Sequence, residues 1–167
     1  MEFDISSYLE RLKPLDLTLR MPASEYESRI QTVRALLEEH GLDAAFAFGT
    51  EYRPGDTGWL TGYDPHIEYA IVIVGKRKVL VLGSPDAARY AKEMMKGGEF
   101  RGLSASGIPD ADYPGYAQVS LRDALRDCCG GAVKAVGCFT PPDVLTFEVW
   151  RMLQESVDGE VRDLSSL

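Results

Sequence analysis

Three short stretches of the chain are almost continuously apolar: residues 44–48 (Ala-Ala-Phe-Ala-Phe), 69–74 (Tyr-Ala-Ile-Val-Ile-Val) and 79–82 (Val-Leu-Val-Leu). A strand with one wet face alternates apolar and polar residues. A strand that is apolar throughout is buried on both faces, with helices above and below it. Between the second and third runs lies Gly75-Lys76-Arg77-Lys78. Four turn-forming residues between two strands predict a hairpin, so this pair is expected to be antiparallel. The sheet is then mixed, which argues against a plain flavodoxin-like or dinucleotide-binding arrangement.

Around these strands one unit recurs four times: a helix, then glycine, then a strand. The helix exits are His40-Gly41, Lys96-Gly97-Gly98, Cys129-Gly130-Gly131 and Asp158-Gly159, and the following strands start near Asp43, Glu99, Val133 and Glu160. Glycine after a helix takes the left-handed conformation that a side chain resists. Helix starts are marked too. Ser24-Glu25-Tyr26-Glu27 reads as a capping box, after which Tyr26, Ile30, Val33 and Leu37 share one helical face. Ser84-Pro85-Asp86 places proline at a first helical position. Ser120-Leu121-Arg122-Asp123 opens a third helix, and Thr140-Pro141-Pro142-Asp143 a fourth, with Leu145, Val149 and Met152 on one face. The pattern predicts an α/β fold over residues 23–167: a three-layer α/β/α sandwich with a mixed sheet of about five or six strands. Residues 1–22 differ. Ile5, Tyr8, Leu9 and Leu12 suit a turn or two of helix ended by Pro14, and Leu15, Leu17, Leu19 and Met21 then alternate. We read an extended N-terminal arm that packs on the domain or on a neighbour.

The length of 167 residues suits one domain, and such a chain buries roughly 70% of its unfolded surface without a disulfide or metal staple. The net charge of -8 opposes binding to nucleic acid or anionic membrane through a diffuse field, and Lys76-Arg77-Lys78 is too short a basic run to reverse it. No apolar run approaches the roughly 20 residues that span a bilayer. Met1-Glu2-Phe3-Asp4 lacks a signal-peptide pattern. Three cysteines, Cys128, Cys129 and Cys138, without framework spacing, suggest reduced thiols and a cytoplasmic location.

The best candidate for a site is the loop of residues 49–69. It leaves the first strand at its C-terminal end, where α/β sheets present ligand groups, and it is long for a connection between core elements. It carries Arg53, Asp56, Trp59, Tyr63, His66 and Tyr69. Trp59 and Tyr63 are either walls of a pocket or, with Leu60, parts of a helical turn plugging the sheet edge. Arg53 either pairs with a substrate carboxylate or is solvated. His66 is a candidate for proton transfer or ligand binding, whereas His40 belongs to a helix C-terminus. Neither histidine has a second at metal-ligand spacing, so no metal site is expected within the chain. Nuclease chemistry needs several carboxylates converging on metals, and only Asp43 and Glu68 stand at the strand edges. Phosphate-binding glycine loops and nucleophile elbows are absent, and Cys128-Cys129 reads as buried thiol at a helix end.

Trp59-Leu60-Thr61-Gly62-Tyr63, following Gly41-Leu42-Asp43 and an apolar strand, resembles the N-terminal domain of the creatinase/prolidase/aminopeptidase P family. The resemblance runs over residues 24–167. It continues through the hairpin, a helix containing Ala88-Arg89-Tyr90, a strand ending in Val136-Gly137, and a closing helix and strand. It implies a ribonuclease-H-like topology. It also implies that the chemistry belongs to a C-terminal pita-bread domain absent from this chain, which in peptidase relatives holds a divalent metal pair (Mn, Co or Zn). Creatinase-type members use no metal, and the family's ligand set maps onto no residue here. The resemblance further implies an N-terminal domain that is itself non-catalytic, supports a homodimer, and helps close the substrate pocket, with Arg53, Trp59 and Tyr63 facing that pocket; His66, from the reading of the loop, completes the pocket candidates. Relatives often carry Asn where this chain has Asp56. The expected partners are the chain's own catalytic domain, a second copy and a peptide or small-molecule substrate. Two alternatives stay open: a free-standing binding module built on the aromatic loop, and a scaffold that dimerises through the arm.

Overall fold

Cross-strand register sorts the apolar runs into two unequal faces. In this computed structural model, which describes residues 9–13, 16, 18–66, 68–104 and 118–167, β1 (Ala44–Thr50) pairs antiparallel with β2 (Tyr69–Gly75). On one face Phe46 lies opposite Ile73 and Phe48 opposite Ile71. On the other, Ala45 lies opposite Val74, Ala47 opposite Val72 and Gly49 opposite Ala70. A period of two along each strand thus makes one face bulky and the other shallow.

β3 (Val79–Gly83) completes the hairpin as an antiparallel neighbour of β2. β4 (Glu99–Leu103) and the two-residue β5 (Gln118–Val119) extend that side in parallel. β6 (Ala135–Cys138) and β7 (Glu160–Asp163) add in parallel beyond β1. The order is β5-β4-β3-β2-β1-β6-β7, with β2 alone reversed. The mixed sheet and the ribonuclease-H-like core agree with the sequence reading. The strand count is seven among the described residues, above the expected five or six, because a weakly apolar edge such as β5 leaves no periodic signal.

Helices cover both faces. The shallow face receives α1 (Ala23–His40), through Ile30, Val33 and Leu37, together with α2 (Gly55–Thr61) and α3 (Ala88–Met94). The bulky face receives α4 (Leu121–Cys129) and α5 (Phe147–Ser156), through Leu121, Leu125, Val149 and Leu153. Tyr26, Ile30, Val33 and Leu37 form the buried stripe of α1 as its periodicity predicts.

Several boundaries differ from expectation. α1 starts at Ala23 after the extended Pro22, so Ser24 sits inside the first turn and no capping box forms; Glu25 instead pairs with Arg29 at 3.0 Å. Thr140 does not open the last helix. Pro142 disfavours helical backbone at Pro141, the Thr140 hydroxyl is used across the sheet, and Thr146 caps α5 by accepting from the Val149 amide. α1 and α4 end on left-handed Gly41 and Gly130, but α3 and α5 end on extended Met95 and Val157. Gly159 is there for space: a Cβ would lie 2.1 Å from the Lys134 carbonyl oxygen. In the arm, Ile5, Tyr8, Pro14, Leu15 and Leu17 lie outside the described residues, and Leu9, Leu12, Leu19 and Met21 are exposed. The Ser104-Ala105-Ser106-Gly107 loop also falls mostly outside them. No helix among the described residues is long and apolar enough to cross a membrane.

The unequal faces predict opposite responses to size. Phe46→Ala should cost about 3–5 kcal/mol through cavity formation. Ala47→Leu should cost about 1–3 kcal/mol by overpacking under α1 and α2. Urea denaturation of both variants checks this; a neutral Ala47→Leu would contradict a shallow face that is already full.

Candidate functional site

Beyond β1 the chain turns back on itself. Thr50 and Arg53 exchange backbone hydrogen bonds of 3.2 and 3.0 Å, and α2 follows directly. α2 approaches the sheet end because the β1 positions beneath it shrink from Ala45 and Ala47 to Gly49. A Cβ at Gly49 would stand 2.7 Å from the Thr57 hydroxyl oxygen. Thr57 is fully buried and its hydroxyl donates to the Pro54 carbonyl at 3.0 Å. Thr61, also buried, donates to the Thr57 carbonyl at 2.8 Å and accepts from the Tyr63 amide at 3.2 Å. Gly62 ends the helix at φ 76°, in the left-handed region. The Trp-Leu-Thr-Gly-Tyr run therefore has a physical division of labour: Leu60 and Tyr63 point inward, Thr61 seals the helix end, Gly62 reverses the chain, and Trp59 stays 46% exposed.

The four candidate residues do not converge. Tyr63, 2% exposed, packs edge-on against Tyr90 and Phe100 with ring centroids 6.3 and 6.1 Å apart. Exposed His66 stands 5.8 Å from the Tyr90 ring. Tyr63 and His66 line one cleft of about 230 Å³ with Glu68, Asp86 and Tyr90. Trp59 lines a separate groove of about 400 Å³ with Val33, Ala45, Ala47, Phe139 and Leu164. Arg53 lines neither; its guanidinium lies 3.8 Å from Asp143, both largely in solvent, where an ion pair contributes little.

Some of the organising residues carried no readable signal. The Arg29 guanidinium sits 5.2 Å from the Trp59 ring and 5.3 Å from that of Tyr26, donates to the Trp59 carbonyl at 3.0 Å and pairs with Glu25. It fastens α2 to α1 by stacking and charge together. Thr140, buried where β6 ends, accepts from the Phe48 amide at 2.7 Å; its own hydroxyl lies 3.1 Å from Asp56 and 3.3 Å from the Phe48 carbonyl. Burial lifts the Asp56 carboxyl above its ordinary 3.8, and the Thr140 bond opposes that rise. Burial pushes the Tyr63 hydroxyl up to about 12, with Glu68, Tyr90 and Asp64 adding to it. Glu68 is raised by burial, opposed by Ser84 and reinforced by Asp86. Burial also holds the thiols protonated, Cys128 at about 12 and Cys129 and Cys138 at about 11.

Among the described residues no three His, Cys, Asp or Glu side chains are placed to hold a metal ion. Asp43 and Glu68 stand at opposite ends of the sheet, since the residue after Asp43 opens β1 opposite Gly75 whereas Glu68 precedes Tyr69, the partner of Thr50. Asp43 is already occupied: its carboxylate accepts from the Lys134 and Ala135 amides at 2.8 and 3.1 Å.

The sequence pattern of the Creatinase/Prolidase N-terminal domain matches residues 29–167. The chain belongs to the creatinase/prolidase N-terminal domain family. Solved structures share its fold. The creatinase/prolidase N-terminal domain of an X-Pro dipeptidase from Streptococcus pyogenes superposes with a TM-score of 0.60 at 17% identity, over 83% of this chain and 95% of that one. A proline dipeptidase from Streptococcus pneumoniae gives 0.59 at 20% identity, over 83% and 92%. The Xaa-Pro dipeptidase from Bacillus anthracis gives 0.58 at 14% identity; 83% of this chain is covered, but only 33% of that longer protein. No curated protein matches the sequence. At these identities the structural likeness concerns the fold.

For this creatinase/prolidase N-terminal domain, two substitutions probe the α2 motif. Gly62→Ala should destabilise by about 1–2 kcal/mol, the usual cost of a left-handed non-glycine residue, aggravated by the Tyr26 hydroxyl 3.2 Å from the new Cβ; denaturant midpoints measure it. Asp56→Asn tests the buried carboxyl. A folded pKa above the unfolded 3.8 favours the native state below that pH and disfavours it as pH rises through the folded value. Asp56→Asn should therefore be slightly more stable than wild type at pH 7, with the gain vanishing below pH 3.8; solvent screening keeps it to a fraction of a kcal/mol. Thermal melts against pH would show the reverse trend if ionised Asp56 were stabilising.

Proposed function

We propose that this domain is the non-catalytic N-terminal part of a Xaa-Pro peptidase or creatinase-like hydrolase, where it supports dimerisation and helps close or shape the substrate pocket of a C-terminal catalytic domain. The family match over residues 29–167 carries this reading. The Bacillus anthracis dipeptidase, three times longer than the matched part, supports it. The groove bearing Trp59 is also lined by Leu164, Ser165 and Leu167, so the aromatic loop and the last strand's exit share one surface. A divalent metal pair, Mn, Co or Zn, belongs in this reading to the catalytic domain. The exposed apolar residues Leu9, Leu12, Leu19 and Met21 suit contact with a second copy, and three free thiols suit a cytoplasmic setting.

A second reading, a free-standing small-molecule or peptide-binding module, draws on Trp59 lining that groove. Purified residues 1–167, supplied with Mn²⁺ or Co²⁺, should not hydrolyse Xaa-Pro dipeptides, and should sediment as a dimer. Robust turnover by the pure chain would refute the first reading. An open reading frame past the Leu167 codon that encodes His, Asp and Glu ligands would separate it from the second.

A further inference from the structure

The cleft on the β3 side of α2 has a chemistry that the proposed role does not use. Its walls come from four neighbouring pieces of chain: Tyr63 just after α2, His66 and Glu68 just before β2, Asp86 and Ala87 in the 3₁₀ turn Pro85–Ala87, and Tyr90 on α3. Ser84, buried, sits between the two carboxylates. Its hydroxyl donates to Asp86 at 2.5 Å and also bears on Glu68. Among the described residues neither Glu68 nor Asp86 belongs to an ion pair, and no lysine or arginine lines the cleft; the nearby Arg89 is paired with Glu93 at 3.8 Å. Two acidic groups thus share one concave space with no lysine or arginine among the described residues to balance them.

A second observation also points to a ligand. Tyr63 is 98% buried by its 2% exposure, and its hydroxyl feels Glu68 and Tyr90, both walls of the cleft. Among the described residues that hydroxyl donates no hydrogen bond, although buried polar groups are nearly always satisfied. The remaining walls are the Tyr63 and Tyr90 rings, whose faces attract cations, together with His66 and Ala87. We propose that this cleft binds a small organic cation, an alkylammonium or guanidinium head, held by Glu68 and Asp86 and stacked against Tyr90. Guanidinium and ammonium carry several donors and no acceptors, which complements two carboxylates and a phenol oxygen. The space of about 230 Å³ suits such a head group. A bare metal ion is the poorer match, because three converging ligands are not found among the described residues. The cation is carried either by a free small molecule or by an arginine or lysine side chain of a peptide. This inference is independent of the role proposed for the parent hydrolase, so either can fail alone.

Titration of residues 1–167 followed by NMR tests it. Agmatine represents the free cation, a capped arginine-containing peptide the side-chain source, and pentanol and Mg²⁺ are controls. Saturable shifts at Tyr63, His66 and Tyr90 with either guanidinium probe, absent with pentanol and undisturbed by Mg²⁺, are expected. Agmatine alone binding identifies a free ligand, and the peptide binding identifies a side chain. The E68Q/D86N double variant should bind at least about tenfold more weakly, the scale of a lost charged hydrogen bond. If that variant does not fold, Tyr90→Ala, at a half-exposed site, should still weaken binding severalfold. No saturation by either guanidinium probe, equal response to pentanol, or undiminished affinity in a folded variant overturns the proposal.

Discussion

The structure depends on the contact between β1 and β2, where every side chain of both strand centres is buried and the two faces differ in depth. Phe46, Phe48, Ile71 and Ile73 build one face; Ala45, Ala47, Gly49, Ala70, Val72 and Val74 build the other. The bulky face needs only helices that cover it, and α4 and α5 do so with leucines and valines. The shallow face leaves room for α1 and lets α2 approach the sheet end. A change in the size of one β1 residue on that face shifts the seat of α2, and with it both concavities beside α2.

That dependence gives the residues of the Trp59–Tyr63 run their roles. They act through backbone geometry more than through chemistry of their own. Thr57 and Thr61 satisfy carbonyl and amide groups that a seven-residue helix leaves open. Gly62 makes the reversal, and Leu60 and Tyr63 plug opposite sides. Trp59 alone remains available at the surface, held by Arg29 rather than by the core. The result is a rigid ridge between a mostly apolar groove and an acidic, aromatic cleft.

Asp56 is the one member of this ridge whose charge works against its surroundings. It lies half-buried against Thr140, which also receives the Phe48 amide, so a single hydroxyl ties α2, β1 and the end of β6 together. An amide would fill the same hydrogen bond without the cost of burying charge. The acid at this position brings a pH response to a joint that is otherwise neutral.

Much of the fold was legible in the chain. Continuous apolar runs announced central strands, the Gly75-Lys76-Arg77-Lys78 turn announced the reversed strand, and the Tyr26, Ile30, Val33 and Leu37 spacing announced α1, because burial on one or two faces imposes a period on sequence. Trp59-Leu60-Thr61-Gly62-Tyr63 announced the family. Helix starts were less legible, since Ser24 and Thr140 look like caps until their hydroxyls are seen to lie inside a turn or bonded across the sheet. The grouping of site residues was decided only by tertiary structure. Residues 53, 59, 63 and 66 are neighbours in sequence, but α2 rotates Trp59 and Tyr63 to opposite sides and sends His66 toward Glu68, Asp86 and Tyr90. Which side chains meet depends on helix rotation and strand register over long sequence separations, and no local pattern of polarity encodes that.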